Sequence, residues 1–301
     1  MRKKRRPQWR DLDLDSVHLF FSNPAMFLIQ RRLGIQLPDA TYLSDEREIF
    51  DLQALDRYLA EQNLVKSLRS GGSPEDFKPI QKAIGQLPHG NVGEYHYAEM
   101  SLDVQTFIRQ IEKFSDCMSG ASIEAELAAA GFYLSGRLVS ISAHGYVHIR
   151  YARRRVADLL KAWLYHLVYG LTAPSECPKK SFLICKDSAI EFEPVADGMP
   201  ILEDLLKLLR RGLEQPIHFF PESSFEYAEQ LLRKGVPAPS ALSKARKKWV
   251  GSDFAKYVRG ESADPFYDLC FRRMDPLDES FQEIAVQVFS PMFLHSREIK
   301  I

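Results

Sequence analysis

Apolar positions recur along this chain with two periods, and the change from one to the other outlines the expected elements. Ser16 precedes a short apolar helix through Phe21, and Asn23-Pro24 supplies an N-cap followed by proline at the first helical position. That second helix runs to Arg31-Arg32, with Gly34 as its stop. Leu52, Leu55, Leu59 and Leu68 mark a third helix ended by Gly71-Gly72, and Ser73-Pro74 starts a fourth with Phe77, Ile80 and Ile84 on one face. A turn-rich stretch from Leu87 to Glu94 closes this helical part.

The pattern then alternates. A helix is predicted over about 95–114, strands near 122–127, 133–142 and 146–151, a helix over 156–169 and a strand at 181–186. Helix, three strands, helix, strand is an α/β order. Beyond it, Ile201, Leu202, Leu205, Leu208 and Leu209 form an amphipathic stripe that ends before Pro216. The run Ile217 to Phe220 reads as a short buried strand leading into Pro221-Glu222-Ser223-Ser224, where a serine or the glutamate starts the next helix. Further helices are expected at 240–249, 265–273 and 279–288, with no internal repeat.

Composition narrows the class. At 301 residues and 45% hydrophobic, the chain can bury a sizeable core, as one large domain or two small ones. The natural division is a helical part over 1–93 and an α/β part with C-terminal helices over 94–301, or one continuous domain. Forty basic residues balance forty acidic ones, so no global field points to nucleic acid. Locally, Arg2, Lys3, Lys4, Arg5, Arg6 and Arg10 form one basic cluster, Arg150, Arg153, Arg154 and Arg155 a second, and Lys244, Arg246, Lys247 and Lys248 a third beside Trp249. A solvated face is the commonest meaning of each. The four cysteines show no C-x-x-C pairing and read as thiols of a reducing compartment. No apolar run is long enough to span a bilayer, and the basic N-terminus leads into acidic sequence rather than an apolar stretch. A cytoplasmic protein without membrane contact is expected. The chain contains neither G-x-x-x-x-G-K-S/T nor a G-x-S-x-G elbow, so it carries no nucleotide-driven motor motif and no start for a serine hydrolase.

The chemistry concentrates between Phe132 and Leu171. Gly136-Arg137-Leu138-Val139 ends one strand, His144-Gly145 turns the chain, and Tyr146 to Tyr151 returns before a helix bearing Trp163 and Tyr165. This order resembles the heart of PD-(D/E)xK nucleases of the RecB type, the restriction-endonuclease-like fold with core order αβββαβ. In those enzymes a Gly-x-x-Asp and an Asp-Tyr-Lys place carboxylates and a lysine around Mg²⁺, and a Gln-x-x-x-Tyr helix closes the site. Here the corresponding positions are Val139, then Arg150-Tyr151-Ala152, then Lys161, and only Tyr165 is kept. An isopropyl group cannot ligate a hard cation, and an arginine repels one. The resemblance therefore implies a degenerate site at Val139, Arg150, Ala152 and Lys161, with no catalytic residue, metal or cofactor.

Four further blocks resemble the C-terminal part of the RecC family, subunits of exodeoxyribonuclease V. They are Leu12-Asp13-Leu14-Asp15 with Phe20-Phe21, Asn23-Pro24 and Leu33-Gly34; Leu87-Pro88 with Gly90 and Gly93-Glu94; His166-Leu167-Val168-Tyr169; and Ala245 to Trp249 with Gly260-Glu261, Asp264-Pro265-Phe266-Tyr267, Phe271-Arg272 and Pro276-Leu277. The resemblance implies a nuclease-like domain without a nuclease site, lying near a duplex fork, contacting a RecB-type helicase–nuclease subunit and helping to split the strands. It also brings in a RecD-type subunit as a further candidate partner. RecC proteins are much longer, and the helicase-like regions that read the Chi sequence have no counterpart here, so Chi reading is not assigned to this chain.

Each candidate residue has a plainer reading. Arg150 holds a phosphate or forms a salt bridge with an acid such as Asp158, and the two weigh evenly. Arg153, Arg154 and Arg155 sit at a helix start, where cations oppose the dipole, which favours an external anion such as DNA phosphate. Lys247 and Lys248 are the other DNA-binding candidates. Trp249, Phe266, Tyr267 and Phe271 form a partner-binding surface in the one reading and core rings in the other. Phe219-Phe220-Pro221 is a wedge against a base pair or a buried strand. Glu94, His96 and Glu99 cannot by themselves replace the missing strand carboxylates, and His144 and His148 have no third ligand. Two other functions stay open: a metal-dependent nuclease with carboxylates migrated to Glu94, Asp158 and Glu191, and a protein-interaction module without DNA contact.

Overall fold

The computed structural model describes residues 9–37, 50–84, 87, 90–115, 122–251 and 260–300; for 50–56, 113 and 115 it describes the backbone alone. The basic run Arg2–Arg6, the turn at Pro88-His89, the side chains of Leu52 and Leu55, and Cys117 lie outside the described residues.

The chain is α/β. It opens with a short strand β1 (Asp11–Asp13), then α1 (Leu14–Ser22) and α2 (Pro24–Met26), which runs on as a π-helical turn over Phe27–Arg32. Asp13, not Ser16, caps α1: its carboxylate accepts from the Ser16 N–H at 2.6 Å, because the helix starts three residues earlier than expected. Asn23 caps α2 with Pro24 at the first helical position, and Gly34 follows in the left-handed region (φ 71°). Next come α3 (Phe50–Arg69), α4 (Pro74–Ala83) and α5 (Asn91–Ser115). On α4 only Phe77 of the expected apolar face is buried; Ile80 and Ile84 are exposed. The helix α5 begins at Asn91, inside the stretch expected to be turn.

The predicted α/β order follows: β2 (Ile123–Ala129), β3 (Phe132–Leu138), β4 (Ile141–Ser142), β5 (Gly145–Arg150), α6 (Val156–Thr172) and β6 (Ser181–Cys185). The single strand expected over 133–142 is two. Ser140 takes a positive φ of 68°, which breaks the extended run and carries the chain from one sheet into another. The first sheet has the order β1-β3-β2, with β1 parallel and β2 antiparallel to β3. The second has the order β4-β5-β6-β7-β8, where β7 is Ala189–Phe192 and β8 is Ser296–Ile299. Within it β5 and β6 are parallel and the other pairs antiparallel. Gly145 starts β5 at φ 127°, and a Cβ there would lie 2.2 Å from the Lys180 carbonyl, so only glycine fits.

The second sheet is covered on both sides, which is why β6 reads Ser-Phe-Leu-Ile-Cys and is buried throughout. One face, with Val147, Tyr151, Phe182 and Ile184, packs under α3, α4 and α5. The other, with Tyr146, Leu183, Cys185 and Phe192, packs on α6, which also meets the first sheet through β2. This central cluster takes in Leu14, Phe20 and Phe27 from the N-terminal part together with α7 (Met199–Glu214) and α11 (Glu279–Leu294). Gly136 on β3 lets α1 approach, since a Cβ there would lie 2.7 Å from the Leu14 side chain.

A third cluster joins α8 (Pro221–Ala228), α9 (Ala238–Val250) and α10 (Pro265–Phe271) to α2 and α11. The segment Ile217–Phe220 is irregular rather than a strand, with Phe219 and Phe220 wholly buried, and Pro221 rather than a serine or Glu222 is the first residue of α8. The Glu261 carboxylate holds that helix start, accepting from the N–H groups of Glu222 and Ser223 at 3.0 and 2.8 Å. Asn23 donates to Asp264 at 3.0 Å, so the caps of α2 and α10, 241 residues apart, are bonded to each other.

Candidate functional site

The face of β5 that looks at α6 carries Tyr146, His148 and Arg150 at alternate positions. Arg150 finds Asp158, which is buried at the start of α6 and bonds the Arg150 Nη1 directly. Asp158 also accepts from the Arg155 N–H at 3.0 Å, so one carboxylate both caps α6 and neutralises the arginine. The salt-bridge reading of Arg150 is the one the geometry displays, although its Nε is buried without a hydrogen-bond partner among the described residues.

One turn further along α6, Lys161 bonds Asp15 of α1 at 2.7 Å and the Tyr165 hydroxyl bonds the same Asp15 oxygen at 2.9 Å. The lysine holds the Asp15 carboxyl below its ordinary range, while burial and Asp15 push the Tyr165 phenol up. His18, one turn on from Asp15, bonds the Ala157 carbonyl through Nε2 at 3.1 Å and is pushed down chiefly by burial. His148 is lowered to about 4 by burial and by the neighbouring charges of Lys161, His18 and Arg150. The imidazoles are thus neutral, and the four charges pair off as Arg150 with Asp158 and Lys161 with Asp15.

The other positions expected to be degenerate are not part of this network. Val139 lies past the last residue of β3 and is 51% exposed. Ala152 lies in the turn after β5, where its carbonyl accepts from the Lys186 N–H at 2.9 Å. Tyr151 points to the opposite face of the sheet, and His144 is exposed in the turn before β5. Asp15, His18 and Tyr146 were not singled out by the sequence. The i,i+4 spacing of Lys161 and Tyr165 puts them on one helix face, but nothing local pairs that face with Asp15, 146 residues away.

The three acids of a migrated metal site are held apart in separate ion pairs. Glu94 bonds Lys78 and Lys82, which lower it to about 2; Asp158 bonds Arg150; and Glu191 on β7 bonds Lys180 and Arg297, both at 2.7 Å. Among the described residues no group of three or more His, Cys, Asp or Glu is placed to hold a metal ion.

The basic candidates divide. Arg153 and Arg155 are exposed, and no ion pair holds either among the described residues. Arg154 is more enclosed: its N–H bonds Asp187 at 2.9 Å and its guanidinium lies 3.8 Å from Glu298. Lys247 and Lys248 are exposed in the last turn of α9, where cations suit the helix dipole, whereas Arg246 is paired with Asp275 and Lys244 with Gln230. Trp249, Phe266, Tyr267 and Phe271 are core, not surface. All four pack in the third cluster around Phe220, whose ring centroid is 4.4 Å from that of Trp249 and 5.0 Å from that of Tyr267. The expected partner-binding face is therefore not one these rings present: all four are buried among residues of their own chain. Phe219 and Phe220, buried beside them, present no wedge.

With this geometry in place, comparison with known proteins is specific. The family described as the RecC C-terminal domain matches residues 9–232. The RecBCD enzyme subunit RecC of Escherichia coli (strain K12) is 26% identical over 288 residues, covering 93% of this chain and 25% of that protein. The same subunit of Haemophilus influenzae (strain ATCC 51907 / DSM 11121 / KW20 / Rd) is 24% identical over 200 residues, 62% of this chain and 17% of that protein. The chain therefore spans a quarter or less of the length of these relatives.

Proposed function

The chain belongs to the RecC C-terminal domain family, and from that premise we propose that it is a non-catalytic DNA-handling and scaffolding part of a RecBCD-type exodeoxyribonuclease V assembly. In this reading it contacts a RecB-type subunit, meets DNA through phosphates and helps to separate the strands in double-strand-break repair and recombination, with a RecD-type subunit as the third component. In the same reading the stretch from α5 to β6 is a PD-(D/E)xK-type core, supported by the element order if β3 and β4 are counted as one interrupted strand.

The observation that carries the reading is the pairing of Arg150 with Asp158 and of Lys161 with Asp15. Where the resemblance places one metal ligand and the glutamine of the closing helix, this chain has Arg150 and Lys161, cations already satisfied by its own carboxylates. A divalent ion entering there meets two fixed positive charges, and each acid is spoken for. The exposed Arg153 and Arg155 lie on the same turn and are free to meet an external anion.

The test has two arms. Linear duplex DNA with Mg²⁺ or Mn²⁺ should show no turnover, and co-expression with a RecB-type subunit should give a complex that survives purification. Metal-dependent digestion abolished by Asp158→Ala would overturn the non-catalytic reading, the mutant control excluding a contaminant. Failure of the RecB-type subunit to co-purify would overturn the scaffolding reading.

A further inference from the structure

Five exposed arginines from three separate segments meet around the start of β1: Arg10 just before that strand, Arg31 and Arg32 at the end of the π-helical turn, and Arg210 and Arg211 on α7. Contacts link them in order. The Arg32 guanidinium lies 6.0 Å from the centroid of the Trp9 ring, and Trp9 directly precedes Arg10. The Arg10 carbonyl accepts from the Tyr133 N–H at 2.7 Å. The neighbouring Phe132 has the Arg210 guanidinium over its ring, 5.0 Å from the centroid. That guanidinium also donates to the Ala130 carbonyl in the turn between β2 and β3. Gly131 in the same turn admits it, since a Cβ there would lie 2.9 Å from the Arg210 Nη2. Arg210 is thus held in one orientation with N–H groups to spare.

The charge of this surface is not cancelled. None of the five arginines forms a salt bridge among the described residues. Strand alternation puts Arg10 on the Leu12 side of β1, the side of Phe132 and Arg210, and Asp11 on the other side with Tyr133 and Glu126. Asp13 caps α1, and Asp204 holds Lys207 at 2.8 Å. Glu214 is the acid left beside Arg210 and Arg211 in the last turns of α7, so the arginines keep a positive surplus. Arg31, Arg32 and Arg211 also suit the dipoles of the helices they end. Lysine would serve a dipole as well, and no dipole requires the three segments to converge. A guanidinium fork matches a pair of phosphate oxygens, which a lysine ammonium does not.

We propose that this surface is a second DNA site, separate from Arg153 and Arg155, which holds backbone phosphates through Arg10, Arg31, Arg32, Arg210 and Arg211. The rival occupant is an acidic protein segment that also covers Leu33 and Ile35, both exposed beside Arg32. Arginines spread over three segments, with Trp9 among them, favour a polyanion whose charges repeat along its length. The proposal rests on the assembly reading only for DNA being that polyanion.

The test uses the full chain and a fluorescein-labelled duplex of about 20 base pairs, with affinity read by anisotropy across a salt series. Replacing Arg31, Arg32 and Arg211 together by alanine should lower the slope of log affinity against log salt by about two to three, at about 0.9 for each lost phosphate contact. Binding at about 0.15 M salt should weaken by about tenfold or more, with the melting temperature unchanged. Arg31→Ala with Arg211→Ala leaves the Arg32–Trp9 contact intact and should still remove about two contacts' worth of slope. Replacing Leu33 and Ile35 by serine should leave the affinity for the duplex as it was. An unchanged slope in both arginine variants overturns the proposal. So does an oligoglutamate that displaces the duplex at equal charge and loses its own affinity when Leu33 and Ile35 are serine, since the surface is then a protein site. A slope that only the Arg153, Arg154 and Arg155 replacement flattens sinks this site alone. A duplex that the parent does not bind sinks the DNA part of the assembly reading and this site with it. A slope flattened as expected, with no RecB-type subunit co-purifying, sinks the assembly reading alone.

Discussion

Breaking the Arg150–Asp158 pair tests whether it holds the site together or merely decorates it. The Asp158 side chain is 6% exposed and that of Arg150 27%. Removing one member of a fully buried pair costs about 3–5 kcal/mol, because the other charge is left unsolvated. Water reaches part of the guanidinium, so Asp158→Asn should cost less, about 2–3 kcal/mol. Asparagine keeps an acceptor for the Arg155 N–H; Asp158→Ala also loses that cap and should cost about 1 kcal/mol more. Arg150→Met leaves a buried carboxylate alone and should cost about 2–3 kcal/mol. The double variant Arg150→Met, Asp158→Leu has no stranded charge and should sit within about 1 kcal/mol of the parent, most of it the lost cap. Urea unfolding of the parent, Arg150→Met, Asp158→Leu and the double variant gives the coupling energy directly, provided the dependence on denaturant keeps the same slope. A coupling below about 0.5 kcal/mol would refute the reasoning, since the two side chains would then be independent in spite of their contact.

Replacing Arg153, Arg154 and Arg155 together by alanine should flatten the plot of log DNA affinity against log salt by up to about three contacts' worth, with Arg153 and Arg155 giving the larger share; an unchanged slope moves the phosphate contact elsewhere. Trp249→Ala should destabilise the fold by about 3–5 kcal/mol, read from urea unfolding, because it empties the centre of the third cluster, and a variant of unchanged stability would mean the ring is not core. The His166 imidazole bonds Ser181 at 2.9 Å and the Glu193 carbonyl at 3.1 Å, and burial lowers it to about 4. Its folded pKa lies below the unfolded value near 6.5, so the unfolded state binds the proton first and stability falls as pH drops between those values. His166→Gln should remove about 2–3 kcal/mol of the stability difference between pH 7 and pH 4.5; an unchanged difference would mean that the acid sensitivity arises elsewhere.

What was legible in the sequence was what local pattern controls. The order from α5 to β6 stands where alternation and helical spacing put it, and Asn23-Pro24 and Ser73-Pro74 start helices as capping predicts. The short strands β1, β7 and β8 were missed. β1 and β8 earn their extended form from pairing with β3 and β7 rather than from any apolar run of their own. The break at Ser140 was missed for a related reason, since a serine in the left-handed region leaves no compositional mark. Ile80 and Ile84 misled in the other direction, having helical spacing but no neighbour among the described residues to bury them. The rings of α10 misled because aromatics beside arginine have the composition of a binding surface, and only the position of Phe220 shows that they close on each other.

In the proposed reading, the degenerate site is legible as a loss and not as a replacement. Substituted ligand positions can be seen along the chain, and they say that an ancestral metal site would have no donors. They do not say what neutralises a carboxylate such as Asp158 that remains in place. A carboxylate as buried as that of Asp158, without a cation, would carry a desolvation cost that a few hydrogen bonds do not cover. Arg150 answers Asp158 from the neighbouring strand, and α1 brings Asp15 to answer Lys161 from across the fold. The approach of α1 depends in turn on Gly136, whose missing side chain admits Leu14. The glycine that resembles part of a nuclease motif therefore has a packing duty in this chain independent of any metal. It follows that Gly136→Ala should disturb α1 and its Asp15 contacts first, and the Arg150–Asp158 pair, which does not involve α1, only second.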